Sequence, residues 1–207
     1  MEYVTLEKEA SAEYIVQKSR FIGYASPVET AQDAAAYVEK IRAMHREARH
    51  NVFAYTVRSP AYSRFSDDGE PQGTAGKPVL EVIRKTELEN CCVVVTRYFG
   101  GILLGTGGLV RAYSHTAKLA VEAACPVLMK RCRVLRVETD YTYYSGLLSL
   151  VPASGGVTED TAFAEKITLT LRLPEENVPA FEKNLTELTT GKVSAQTVGE
   201  KYDRFRF

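Results

Sequence analysis

The stretch CCVVVTRY (residues 91–98), followed by FGGILLGTGG (residues 99–108), decides how this chain folds. The first eight residues are a β-branched run, the composition of a strand covered on both faces. The next ten hold five glycines, which mark a tight loop. Leu109–Ala124 then has the apolar spacing of an amphipathic helix. A buried strand feeding a glycine-bearing turn and a helix belongs to a layered α/β or α+β domain. Cys91 and Cys92 are adjacent, so alternation sends their side chains to opposite faces of the strand. With Cys125 and Cys132 they have neither metal nor disulfide spacing, and all four read as reduced core thiols.

Upstream of this stretch the pattern predicts strands at Tyr3–Lys8, Glu13–Lys18 and Arg20–Val28, separated by polar turns. A helix over residues 31–47 follows, capped by Thr30, with Ala34, Val38 and Ile41 on one face. Asn51–Val57 reads as a strand, residues 59–73 as a Ser-, Asp-, Gly- and Pro-rich loop, and Thr74–Lys85 as a helix. The order is βββ-α-β-α-β-α. Downstream, the composition changes over residues 126–133 and the pattern restarts. Val134–Tyr141 is a strand, Tyr144–Val151 a helix stopped by Pro152, and Gly156–Phe163 a strand. Ile167, Leu169, Leu171 and Leu173 alternate strictly with polar residues. Val178, Phe181, Leu185 and Leu188 mark a helical face, and Val193–Tyr202 closes as a strand. That is the ferredoxin-like β-α-β-β-α-β order. The chain therefore divides into domains at residues 1–130 and 133–207, an α+β architecture.

The chain has 207 residues, 45% of them apolar, with 26 Lys and Arg against 26 Asp and Glu. Zero net charge excludes a polyanion-coating protein held by a global field, so any anion site must be local. The N-terminal stretch lacks the apolar core of a signal peptide, and no apolar run has the length of about 20 residues that spans a bilayer. A cytoplasmic protein with no membrane partner is expected.

Two segments carry chemistry. In SDDGEPQGTAGKP (residues 66–78), Asp67, Asp68 and Glu70 place three carboxylates in four residues, and Gly73, Thr74 and Gly76 lead into a helix with Lys77 in its first turn. Helix N-terminal amides favour anions. The segment is no Walker loop, because Pro78 stands where the magnesium-binding hydroxyl belongs. In RYFGGILLGTGGLVRAY (residues 97–113), Gly105 and Gly107 match the first two positions of a dinucleotide fingerprint, but Val110 occupies the third. Gly100, Gly101 and Gly108 add to a backbone that a ligand can approach closely. Arg97 and Arg111 supply forks suited to phosphate. Strand ends and following helix starts gather at one edge of such a layer, so Lys77, Arg97 and Arg111 are expected to converge on one anion-binding surface. No metal, no cofactor and no catalytic group is expected, and His50 and His115 read as structural or surface residues. Tyr202–Phe207 reads as a frayed end strand.

The strings DDGEPQGTAGKP (residues 67–78) and RYFGGILLGTGGLVRAY (residues 97–113) resemble the signature of the YigZ/IMPACT family. ARHNVFAY (residues 48–55) resembles that family's A-x-H-x-x-x-A-Y segment, which gives His50 a second interest. The resemblance is strong to about residue 125. It implies a ribosomal-protein-S5-domain-2-like fold with a left-handed crossover. The remainder is similar to the bacterial members' ferredoxin-like domain, akin to the last domain of elongation factor G. Eukaryotic members restrain a translation-control kinase and associate with ribosomes, partly through an N-terminal domain without a counterpart here. The resemblance thus implies a non-enzymatic binder of RNA or ribosomal components, or a protein partner in translation control. The alternatives are an enzyme on a phosphorylated small molecule, with Asp67, Asp68 and Glu70 around magnesium, and a protein–protein adaptor.

Overall fold

A computed structural model describes residues 2–205. The described chain forms two compact units, one spanning Tyr3–Leu128 and the other Met129–Phe205 together with Glu2.

The first unit is built on a five-stranded sheet in which all neighbouring strands are antiparallel. Its order is β2 (Ala10–Val16), β3 (Ser19–Pro27), β6 (Cys91–Tyr98), β4 (His50–Arg58) and β5 (Ala61–Ser66). The central strand β6 is buried from Cys91 to Arg97, as a β-branched run with helices on both sides requires. On one face, Cys92 and Val94 pack with Ala34, Val38 and Ile41 of α1 (Ala31–Met44). On the other, Cys91, Val93 and Val95 pack with Val79 and Ile83 of α2 (Gly76–Lys85) and with Leu109 and Tyr113 of α3 (Gly105–Ala123). Alternation thus separates the adjacent cysteines as expected. Burial pushes the Cys91 thiol up to about 12, so it is inert at neutral pH. Thr30 caps α1 through a reciprocal box with Asp33, the arrangement that satisfies two orphan backbone donors.

Three elements differ from the sequence pattern. β1 (Tyr3–Leu6) leaves this sheet and pairs with β7 (Pro126–Thr139), whose first residues, through Leu128, belong to the same unit. The expected loop at 59–73 contains β5, which pairs along β4 from Phe53 to Arg58. Its residues Ala61–Phe65 are all exposed, so no burial alternation announced a strand. α3 starts at Gly105, four residues before the apolar pattern does.

In the second unit the order is β7, α4 (Tyr141–Ala153), β8 (Val157–Phe163), β9 (Ile167–Pro174), α5 (Val178–Thr189) and β10 (Ala195–Phe205). β7 pairs with β9 and with β10, and β9 pairs with β8, giving the ferredoxin-like sheet. Ile167, Leu169, Leu171 and Leu173 are fully buried against Phe181 and Leu185 of α5. Each such side chain contributes about 1.5–3 kcal/mol. The chain passes from one unit to the other inside β7 rather than in a loop, so the pattern restart at Val134 lies within a continuous strand. Arg131, Arg133, Arg172 and Lys201 each face a carboxylate. Of the tail segment, Arg206 and Phe207 lie outside the described residues.

Candidate functional site

The three carboxylates of the 66–78 segment point to three different partners. Asp67 accepts hydrogen bonds from the amides of Gly73 (2.8 Å), Ala75 (3.1 Å) and Gly76 (2.7 Å). It is a cap supplied from upstream, and it fills the N-terminus of α2 with the protein's own anion. Asp68 accepts from Arg42 (2.9 Å) and from the Asn51 amide (2.7 Å), tying the loop to α1 and β4. Glu70 is buried and accepts from Arg97 (2.6 Å) and from the Tyr113 hydroxyl (2.7 Å). The carboxylates therefore diverge, and the enzyme alternative loses the cluster it was built on. Thr74 is likewise committed, donating to the Pro71 carbonyl at 2.6 Å. Gly76 lies where a side chain would meet the Ser66 carbonyl group at 2.6 Å, so the helix start is pressed onto the end of β5.

With Asp67 gone, three amides at the start of α2 lose their acceptor. Asp67→Ala is expected to lower the urea midpoint by an amount equivalent to about 1–2 kcal/mol. Asp67→Asn, which keeps one oxygen, should cost about half as much.

Arg97 corrects the expectation of three converging cations. Its position on β6 turns it into the core beneath α3, where the side chain is only 6% exposed and faces Glu70. Its guanidinium lies 5.4 Å from the ring centroids of both Phe21 and Phe99, and its Nε has no hydrogen-bond partner among the described residues. Strand alternation sets it in line with Cys91, Val93 and Val95, on the face that α2 and α3 cover. Burial, and then the negative charge of Glu70, push the Tyr113 phenol far up, so it remains a donor to that carboxylate. Lys77 is exposed at the start of α2. His50 is half-buried, and its Nδ1 donates to the Asp68 carbonyl at 2.8 Å, since a carbonyl can only accept. That places a proton on Nδ1.

The second glycine segment behaves differently. Gly101 and Gly105 are exposed, and Gly105, Gly107 and Gly108 form the first turn of α3, which has no side-chain cap. Gly100 is packed against the β2–β3 turn. Arg111, exposed and alongside Gly107, opens a groove of about 790 Å³. Lys85 from α2 and Arg111, His115 and Lys118 from α3 line it, over an apolar floor that includes Tyr14, Val82 and Leu104. No carboxylate among the described residues lines it, although Lys118 reaches Glu122 at 3.6 Å on the exposed side of α3. Of the expected site residues, the groove gathers Gly108 and Arg111. Lys85, His115 and Lys118 were missed. The signal was present: Arg111, His115 and Lys118 are spaced i, i+4, i+7, which is one face of a helix.

On the opposite face of the sheet, His45 lies between two phenols, with Tyr24 Oη 2.6 Å from Nε2 and Tyr98 Oη 2.9 Å from Nδ1. Burial, and then the nearby Arg20 charge, hold its pKa below the usual 6.5, although the C-terminus of α1 favours a cation there. A histidine that resists protonation in the folded state stabilises it at neutral pH. That contribution is lost as pH falls below about 6.5, because the unfolded chain takes up the proton first. The melting temperature should therefore fall between pH 7 and pH 5 by more than that of His45→Gln, which keeps a donor and an acceptor but does not titrate.

Residues 17–121 match the model of the Impact N-terminal domain, and residues 137–192 match a domain of unknown function, DUF1949. The chain belongs to the IMPACT family. The IMPACT family member YvyE of Bacillus subtilis is 37% identical over 191 residues, covering 92% of this chain and 88% of the relative. The IMPACT family member YigZ of Escherichia coli is 33% identical over 188 residues, covering 89% and 92%. Protein IMPACT of Oryctolagus cuniculus is 30% identical over 93 residues, which is 43% of this chain and 29% of that protein. Among solved structures, one described as the crystal structure of a hypothetical protein superposes with a TM-score of 0.61 and 30% identity, over 96% of this chain and 98% of the other. The segments at residues 67–78 and 97–113, which resemble the family signature, are the ones that build the buried Glu70–Arg97–Tyr113 centre and the start of α3.

Proposed function

We propose that this IMPACT-family chain is a non-enzymatic RNA-binding protein of the cytoplasm, linked to translation, that engages RNA or ribosomal components through the α2–α3 groove. The observation that carries this reading is the charge of the groove. On a chain of zero net charge, the cations Lys85, Arg111 and Lys118 line one depression, and no carboxylate among the described residues shares it. Exposed cations of this kind bind phosphate and release counterions. The uncapped glycine turn of α3 adds amides beside Arg111.

Fluorescence anisotropy with a labelled mixed-sequence RNA 20-mer tests it. Three phosphate contacts predict a slope of log K against log salt of about −2, since each contributes about −0.7 on a single strand. Arg111→Gln and Lys118→Gln should each make the slope shallower by about 0.7 while the melting temperature stays within a degree or two. Absence of binding, or affinity indifferent to both substitutions, would rule this reading out.

A further inference from the structure

The groove is not only basic. Between its cations lie Tyr14, Val82 and Leu104, and the ring of His115 meets that of Tyr14 edge-on, with centroids 4.6 Å apart. Phosphate recognition alone gives no reason for an apolar floor or an aromatic pair. A paired RNA helix offers a protein surface its phosphates and 2′-hydroxyls and keeps its base faces stacked inside. An unpaired strand offers both a charged backbone and apolar base faces, which aromatic side chains accept regardless of sequence. Charge complementarity therefore selects a polyanion, and the floor selects one whose apolar faces are free. The volume of about 790 Å³ is that of a site for a ligand of small-molecule size, which is one or two nucleotides rather than a duplex.

We infer that the groove receives unpaired bases, so that its ligand is single-stranded nucleic acid, with His115 and Tyr14 contacting base faces while Lys85, Arg111 and Lys118 hold flanking phosphates. This rests on the RNA-binding reading above and adds strand selectivity to it. The division of labour follows from the layout. Arg111 and Lys118 lie on either side of His115 along α3, so a base at His115 would have a cation in reach of the phosphate on each side.

The test uses the full chain with a labelled RNA 12-mer, free and annealed to its complement, at one salt concentration. The single strand is expected to bind at least tenfold more tightly than the duplex. His115→Ala should erase most of that preference by weakening the single strand five- to tenfold while leaving the duplex unchanged. Lys118→Gln should weaken both forms by similar factors, because phosphates are common to them. Thermal melting confirms that both variants remain folded, and Tyr14→Leu, which keeps the apolar packing but removes the phenol ring, is a second probe of the same preference. Equal binding of the two forms, unmoved by His115→Ala and Tyr14→Leu, would overturn the strand selectivity and leave the RNA-binding reading standing. Failure of both forms to bind would instead overturn that reading, and the selectivity with it.

Discussion

Glu70→Ala is expected to lower the unfolding free energy of the first unit by about 3–5 kcal/mol. The side chains of Glu70 and Arg97 are 4% and 6% exposed and meet at 2.6 Å. Removing the carboxylate leaves a guanidinium charge in the core facing nothing of opposite sign, and it orphans the Tyr113 hydroxyl at the same time. An exposed pair such as Arg84–Glu81 contributes at most about 1 kcal/mol. The difference is desolvation, which is expensive to leave uncompensated. From the sequence alone, Arg97→Ala is a substitution that weakens anion binding and spares the fold. In the folded chain it strands Glu70 and should cost as much as Glu70→Ala. Pairing Glu70→Leu with Arg97→Met should cost much less than the two single changes together, because no buried charge remains. Urea denaturation of the four proteins checks this. A loss below about 1 kcal/mol for Glu70→Ala would mean that water reaches the pair.

The strands and helices were legible where burial, on one face or on both, writes a pattern into the sequence. Ile167–Leu173 alternates because β9 has helices on one side only, and residues 91–98 read as a buried strand because helices cover both faces of β6. β5 was illegible for the opposite reason: an edge strand exposed along nearly its whole length has no burial pattern to write into its sequence. The partner of β1 was illegible because it lies more than a hundred residues downstream, in β7. In the candidate site, residue types were legible and directions were not. Asp67, Asp68 and Glu70 lie within four residues of sequence, yet their oxygens reach α2, α1 with β4, and the core. Which way each points is settled by loop geometry, including the positive φ of 43° at Asp68, and that geometry is a tertiary property. The basic row on α3 was legible by helical spacing, but its nearness to Lys85 of α2 required the packing of the two helices.

Gly100→Ala should destabilise the first unit by about 3 kcal/mol, and it should do so without touching any charged group. A methyl at this position would stand 2.0 Å from the Lys18 carbonyl carbon, 2.1 Å from its oxygen and 2.4 Å from the Ser19 amide nitrogen. All three are backbone atoms, so no side chain can rotate away. The turn they belong to is itself committed, with Gln17 and Lys18 both at positive φ, 45° and 61°, in the hairpin that joins β2 to β3. Ser19 also receives the Gly100 amide at its hydroxyl, 3.2 Å away. Either the β6–α3 loop must lift off the hairpin or the hairpin must open. Lifting the loop would shift the start of α3 and with it Arg111, so on the proposed RNA-binding reading affinity should fall together with stability. Gly107→Ala provides the contrast. It lies in the first turn of α3, where a methyl would meet nothing closer than the Arg111 guanidinium at 3.7 Å, and an alanine there should be neutral or stabilising by about 0.5–1 kcal/mol. Two glycines seven residues apart in one motif should thus respond with opposite signs in the same denaturation experiment. A Gly100→Ala protein that unfolds at the wild-type midpoint would show that the loop and hairpin have room to separate, and that the position of α3 does not depend on their contact.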